Sequence, residues 1–304
     1  MPSPDKKLAR LKSRSDIKIR INARSDRETD PQLKLMWGDH WVKQELAKGF
    51  EQAGLIVTDN KPDAILHLFG GPPKKPLPLE TINLVWVYSH PDLVTPTNLQ
   101  GYDRIYCASR DYILKLHAMG YRDVAYLPAC TSKTPLQTPL KYNVIFLGNA
   151  RTSRSDGRSV VDAVRKTGVD FKVWGNLWET LLPPENVGGR YWPYETIQEL
   201  YASARITIND HHPDMAREGF VSNKVFDILA SGGFVLSDRN TGLDDIFEGT
   251  VPQFDSVEEL KILLERFESD EKERSALMEQ GRRIALSHSY VGRVRQFKED
   301  FLPM

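Results

Sequence analysis

The strongest constraint on this chain is an alternation of short apolar runs with helix-period segments, repeated along most of its length. Ile17, Ile19 and Ile21 alternate with Lys18 and Arg20, the period-two signature of a strand, here expected near a sheet edge. Helical spacing over 41–53 stops at Gly54. Runs at 55–58, 64–69, 84–88 and 104–107, bounded by Gly, Asp and Pro, read as strands. A helix at 111–119 stops at Gly120, and a strand at 124–127 follows. Strands separated by helices need crossover connections, so the expected sheet is parallel and covered on both faces.

Residues 131–141, with two prolines, three threonines and little apolar content, read as an interdomain linker. A second series follows: strands at 143–147, 171–174, 206–209 and 233–236, and helices at 157–166, 194–204, 224–230, 257–267 and 272–286. Tyr290, Val294, Phe297 and Phe301 then fall at i, i+4, i+7 and i+11, one apolar face of a helix. The pattern predicts two Rossmann-like α/β domains with a cleft between the carboxyl ends of their strands, where ligands of such sheets bind.

Composition removes several function classes. The 304 residues carry 41 Lys+Arg against 41 Asp+Glu, a balance unlike that of a general nucleic-acid binder. No apolar run approaches the ~18 residues of a membrane-spanning helix, and residues 2–18 are too polar for a secretory signal. Cys107 and Cys130, in or beside apolar runs, read as reduced buried thiols of a cytoplasmic protein. Neutrality conceals an asymmetry, since residues 1–27 hold nine basic side chains against three acidic, a surplus of six that the rest of the chain offsets. A basic leader at 1–16 reads either as a solvated, disordered segment or as a patch for anionic lipid or substrate. No GxSxG, Walker A, CxxC, HExxH or strand-following GxGxxG pattern occurs, which disfavours a hydrolase triad, a P-loop ATPase and a nicotinamide oxidoreductase.

The densest chemistry lies in HHPDMAREGFVSNKVFDILASGGFVLSD, residues 211–238, after a strand that ends in Asn209-Asp210. Ser222, Asn223 and Lys224 open a helix, and free N–H groups beside a lysine suit a phosphate or pyrophosphate. Gly148, Asn149 and Arg151 follow the first strand of the second half, with Arg154 and Arg158 adding positive charge. Trp174, ending a strand, and Trp192, before a helix, suit stacking on a ligand or core packing equally. In the first half His90 ends an apolar strand and can hydrogen-bond a ligand or handle a proton. Asp39, beside Gly38 and His40, suits either a substrate hydroxyl or an N-cap. His211 and His212 stand beside Asp210 and Asp214, but adjacent histidines are poor ligand spacing, so no metal site is expected.

The 211–238 segment resembles the donor-binding core of group-1 glycosyltransferases of the GT-B fold, in the branch that includes the spore maturation protein CgeB. Further stretches similar to that branch are WGDHW (37–41), LHLFGG (66–71), VWVYSHPD (85–92), VIFLGNAR (144–151), ELYASARITINDHH (199–212) and GLDDIFEG (242–249). The resemblance spans residues 17–297. It implies two facing Rossmann-like domains: an acceptor domain at 17–135 and a nucleotide-sugar donor domain at 136–286. A terminal helix at 287–304 crosses back to the first domain. It further implies that Glu218 contacts the donor sugar, Asp227 the ribose hydroxyls and Lys224 the diphosphate. The second acid is Asp rather than Glu, and the acids are nine apart rather than the usual eight, so Glu218 departs further from the pattern than Asp227.

The expected activity is transfer of a sugar from a nucleotide-sugar co-substrate to a hydroxyl of a glycan, lipid-linked or protein acceptor, in bacterial surface glycan or glycoconjugate synthesis. No other cofactor, no metal and no nucleic acid is expected, and the site is cytoplasmic, with peripheral membrane contact through the basic N-terminus. The paired acids suggest retention. With inversion, Asp39, His40 or His90 would be the base. The competing expectations are a nucleotide-sugar epimerase of the same fold and a non-catalytic nucleotide-sugar or glycan binding module.

Overall fold

The computed structural model describes residue 7 and residues 16–73, 76–151 and 158–301. Apart from Lys7 and Asp16, the basic leader lies outside the described residues, as does Arg154. The chain forms two compact units. Unit 1 holds the residues up to Cys130, with Glu218–Phe220 and those from His288 on, and unit 2 holds Thr131–Arg217 and Val221–Ser287.

In unit 1 the strands are β1 (Lys18–Asn22), β2 (Ile56–Val57), β3 (Ala64–Leu68), β4 (Ile82–Val87), β5 (Arg104–Cys107) and β6 (Val124–Tyr126). They form one sheet in the order β2-β1-β3-β4-β5-β6, parallel at every pairing. The alternation read at Ile17, Ile19 and Ile21 is the buried face of β1. That face joins Leu46 and Phe50 of the Gly38–Gln52 helix and Leu66, Leu84 and Trp86 of the central strands. The terminal helix, Tyr290–Phe301, completes this core with Tyr290, Val294 and Phe297. Its close approach needs a glycine, because a Cβ at Gly49 would lie 2.9 Å from Val294 Cγ2. Arg293 fixes the helix by donating to the carbonyls of Pro128 (2.8 Å) and Ala129 (3.1 Å).

In unit 2 the strands are β7 (Tyr142–Leu147), β8 (Phe171–Trp174), β9 (Val187–Gly189), β10 (Ala204–Asn209), β11 (Val235–Asp238) and β12 (Gln253–Phe254). Their order is β12-β11-β10-β7-β8-β9, again all parallel. Val144, Phe146, Ile206 and Ile208 pack one face against Val160 and Val164 of the Ser159–Thr167 helix and Leu260 and Leu264 of the Val257–Ser269 helix. Strand order reverses between β7 and β10, so the connections leaving their carboxyl ends part to opposite sides. That divergence is the switch point where doubly wound sheets hold ligands.

Some elements depart from the sequence expectation. The helix expected at 194–204 is a 3-10 turn, Tyr194–Thr196, followed by a short helix, Ile197–Ala202, because β10 already begins at Ala204. Strands β9 and β12 and the helices Pro213–Arg217 and Thr241–Phe247 were not expected as elements: all are seven residues or shorter and too brief to display a period. Residues 131–141 lie along unit 2, where Leu136 N donates to Ser231 O at 3.1 Å and Lys133 Nζ to Tyr194 O at 2.8 Å. Cys107 and Cys130 are buried and not joined in a disulfide.

Candidate functional site

The switch point of unit 2 is built from the loops that leave β7 and β10. Gly148–Asn149–Ala150–Arg151 follows β7, and Asp210-His211 follows β10. Three cations converge there on one buried carboxylate. Arg158 Nη1 donates to both oxygens of Asp210 at 2.6 and 2.8 Å, and Arg151 Nη2 lies 3.2 Å from Asp210 Oδ2. Lys224 Nζ stands 3.8 Å from Asp210 Oδ1. The three basic side chains keep 14–19 % exposure against 6 % for Asp210, so their charge is open to a ligand while the carboxylate is not.

The electrostatics agree with that count of charges. Burial alone would raise the Asp210 carboxyl, but Arg158, Lys224 and Arg151 together hold it below the usual carboxylate range. Burial pushes the Lys224 ammonium down to about 8, and Arg158 and Arg151 act in the same direction against Asp210 and Asp238. Lys224 and Arg158 also lie over the Phe146 ring, at 4.7 and 5.3 Å from its centroid. Three basic side chains gathered at one switch point favour the approach of an anion.

Backbone interlocking holds the loops in place. Gly148 N donates to Trp174 O at 2.9 Å, Trp178 Nε1 to Gly148 O at 2.7 Å, and Asn176 N to Asn149 Oδ1 at 2.9 Å. Arg158 Nε is held by Asn149 O at 2.7 Å. The approach of the two loops is so close that a Cβ at Gly175 would fall 2.2 Å from Gly148 O, at a backbone φ of +147°. Ser222 caps the Asn223–Ala230 helix by accepting from Lys224 N at 3.3 Å, which directs Lys224 from the first turn toward Asp210.

Gly148, Asn149, Arg151, Ser222, Asn223 and Lys224 thus belong to unit 2 and gather at or beside this switch point, with Arg158. Asp227 lies one turn further along the same helix, buried, with Oδ1 accepting from Thr131 Oγ at 2.5 Å. Asp39, His90 and Glu218 belong to unit 1. The Glu218 carboxylate is buried against Lys115 Nζ at 2.6 Å, and its carbonyl accepts from Ser109 Oγ at 2.5 Å. Asp39 is not an N-cap, because Trp37 holds that position; its Oδ2 instead accepts from Ser25 N at 2.9 Å, tying the turn after β1 to the Gly38–Gln52 helix. His90 follows β4 with a left-handed backbone, φ +54°, strained for a non-glycine residue, and its Nδ1 is 3.0 Å from Ser89 Oγ. Trp174 is buried edge-on to Tyr142 and Trp192, a packing role. Among the described residues no group of three His, Cys, Asp or Glu could hold a metal ion.

Asp238 escaped sequence reasoning. It ends β11 as Asp210 follows β10, and an acid just past a buried apolar run was the available signal. It binds His211 twice, from His211 N at 2.8 Å and at Nδ1 at 2.6 Å.

Residues 151–299 match a family model described as glycosyl transferase-like. Sucrose-phosphate synthase from Thermosynechococcus elongatus is similar in structure, with 11% identity over 94% of this chain and 98% of that one at a TM-score of 0.68. The T4 phage β-glucosyltransferase, solved with UDP and Mn2+, shares 12% identity over 95% of this chain and all of its own, at 0.64. AviGT4, a glycosyltransferase of avilamycin A biosynthesis, shares 15% over 94% and 97%, at 0.59. No curated protein matches the sequence. The fold is therefore GT-B, and with the matched glycosyl transferase-like segment it marks the chain as a transferase enzyme of the glycosyltransferase kind.

Proposed function

We propose that this glycosyltransferase takes a nucleotide-sugar donor in unit 2, with the diphosphate at Arg151, Arg158 and Lys224, and moves the sugar to an acceptor hydroxyl. The observation that carries this reading is the convergence of three partly exposed cations on one carboxylate at the β7/β10 switch point. Support comes from the T4 enzyme of like fold, which has been solved with UDP and with UDP-glucose. Cleavage of the sugar–phosphate bond builds negative charge on the departing nucleoside diphosphate, and preorganised cations stabilise that charge more than they stabilise the ground state. The same cations are our reason for reading the chemistry as metal-independent, although the T4 enzyme was solved with Mn2+.

The finer reading assigns the CgeB-like branch and a glycan, lipid-linked or protein acceptor in bacterial surface glycoconjugate synthesis. It places the enzyme in the cytoplasm, in contact with the membrane through the basic N-terminus. Equal counts of basic and acidic residues favour such acceptors over nucleic acid, the acceptor class of the T4 DNA-modifying enzyme. Retention is the favoured outcome; under inversion Asp39, His40 or His90 serves as base. Titration calorimetry with UDP-, dTDP-, GDP- and CMP-sugars, with and without EDTA, tests the donor reading. Binding of one of them that EDTA leaves intact is expected, and no binding by any would overturn it.

A further inference from the structure

The polar network at the end of β10 extends past the cations. Asn209 Nδ2 donates to Ser237 Oγ at 2.9 Å, and Ser237 Oγ donates to Asp238 Oδ1 at 3.0 Å. A carboxylate only accepts, so in the neutral His211 ring the proton sits on Nδ1, facing Asp238 Oδ1 at 2.6 Å. The backbone N–H of the same residue binds the other carboxylate oxygen at 2.8 Å, and its carbonyl accepts from Arg151 Nη2 at 3.2 Å. His211 is therefore fixed at ring, N–H and carbonyl, between Asp238 and a cation of the anion site. This leaves Nε2 as an acceptor. It is buried, with no hydrogen-bond partner among the described residues. Asn209 Oδ1, at the end of β10 two residues earlier, is a second buried acceptor in that condition. An acceptor buried without a donor is destabilising, and two together call for a reason.

Resting on the donor reading above, we infer that His211 is a donor-binding residue. Its Nε2 accepts a hydrogen bond from a hydroxyl of the nucleotide sugar, and Asp238 is the positioning residue that holds the proton of the neutral ring on Nδ1. The ligand chemistry is a hydroxyl within reach of a diphosphate, which the ribose and the transferred sugar both supply.

Affinities of the full chain for inorganic pyrophosphate, for a nucleoside diphosphate and for the matching nucleotide sugar separate the possibilities. His211→Asn keeps an amide N–H near the Nδ1 position for Asp238 but has no atom at Nε2. It is expected to leave pyrophosphate affinity within about twofold and weaken the nucleotide sugar about tenfold. Loss already with the nucleoside diphosphate assigns the ribose, and loss only with the sugar attached assigns the sugar. His211→Gln, whose carbonyl oxygen can reach the Nε2 position, is expected to recover part of the loss. Asp238→Asn is expected to shift the ring proton to Nε2, seen in imidazole 15N spectra, and to weaken the same ligand without adding to the His211→Asn effect. Unchanged nucleotide-sugar affinity in His211→Asn overturns the inference, with a buried water as the partner of Nε2. So does an unliganded wild-type spectrum with the proton on Nε2. Wild-type protein that binds neither pyrophosphate nor any donor overturns the donor reading itself.

Discussion

Lys224 carries the sharpest residue-scale consequence, because an ammonium brought down to about 8 titrates within a workable range. Between about pH 8 and the ordinary lysine value of about 10.4 the unfolded chain binds the proton more tightly than the folded one, so this group makes stability rise with pH across that window. A bound diphosphate reverses the balance by favouring the charged form. Donor binding should therefore take up a proton near pH 8–9, and affinity should fall about tenfold from pH 7 to pH 9.5, measured by calorimetry in buffers of different ionisation enthalpy. Lys224→Arg, charged throughout, should flatten that dependence, and Lys224→Met should remove about 1.5–3 kcal/mol of donor binding at pH 7. Residue chemistry was partly legible in advance: a lysine in the first turn of a helix after a polar loop is a local pattern. That Arg158 and Arg151 share one carboxylate with it was not, because Asp210 and Arg158 are 52 residues apart and meet only when β7 and β10 pair.

At the scale of elements, the anion site is two loops locked back to back. Gly175→Ala would drive a methyl to 2.2 Å from Gly148 O at a φ that side chains avoid. It should lower unfolding free energy by about 2–4 kcal/mol in urea titration and abolish pyrophosphate binding even at temperatures where the protein stays folded. Ser222→Ala removes the cap of the Asn223–Ala230 helix and should cost about 1 kcal/mol, with a smaller loss of donor affinity. Strand runs such as Ala64–Leu68 and Ile82–Val87 were visible as apolar segments because both of their faces are covered. The segments 131–141 and 218–220 were opaque for the opposite reason: their hydrogen bonds go to distant residues, Leu136 to Ser231 and Glu218 to Lys115, so no local period marks them.

At the scale of the whole molecule, two half-buried histidines of unit 1 lower stability in acid. Burial, with Arg20 beside His67 and Arg293 beside His288, holds each ring down to about 4. Above the ordinary histidine value neither state is protonated. As pH falls from about 6.5 toward 4 the unfolded chain gains protons that the fold refuses, so stability is lost across that window, by roughly 1–3 kcal/mol per histidine. Urea midpoints at pH 7 and pH 4.5 should show this, and His67→Gln with His288→Gln should shrink the difference. Deleting residues 288–304 would strip Tyr290, Val294 and Phe297 from a core shared with Phe50, Trp86 and Tyr106. Amide exchange should then show unit 1 unprotected. The sequence by itself determined the α/β class, the division into two Rossmann-like halves and the apolar face of the last helix, because each follows from hydrophobic period and turn chemistry within a short window. Only the tertiary structure decided the strand order and with it the switch point, the meeting of Arg151, Arg158 and Lys224 on Asp210, and the pairing of His211 with Asp238. Sheet order is set by which crossovers bury most apolar surface over the entire unit, a sum over long-range contacts that no window of the sequence contains.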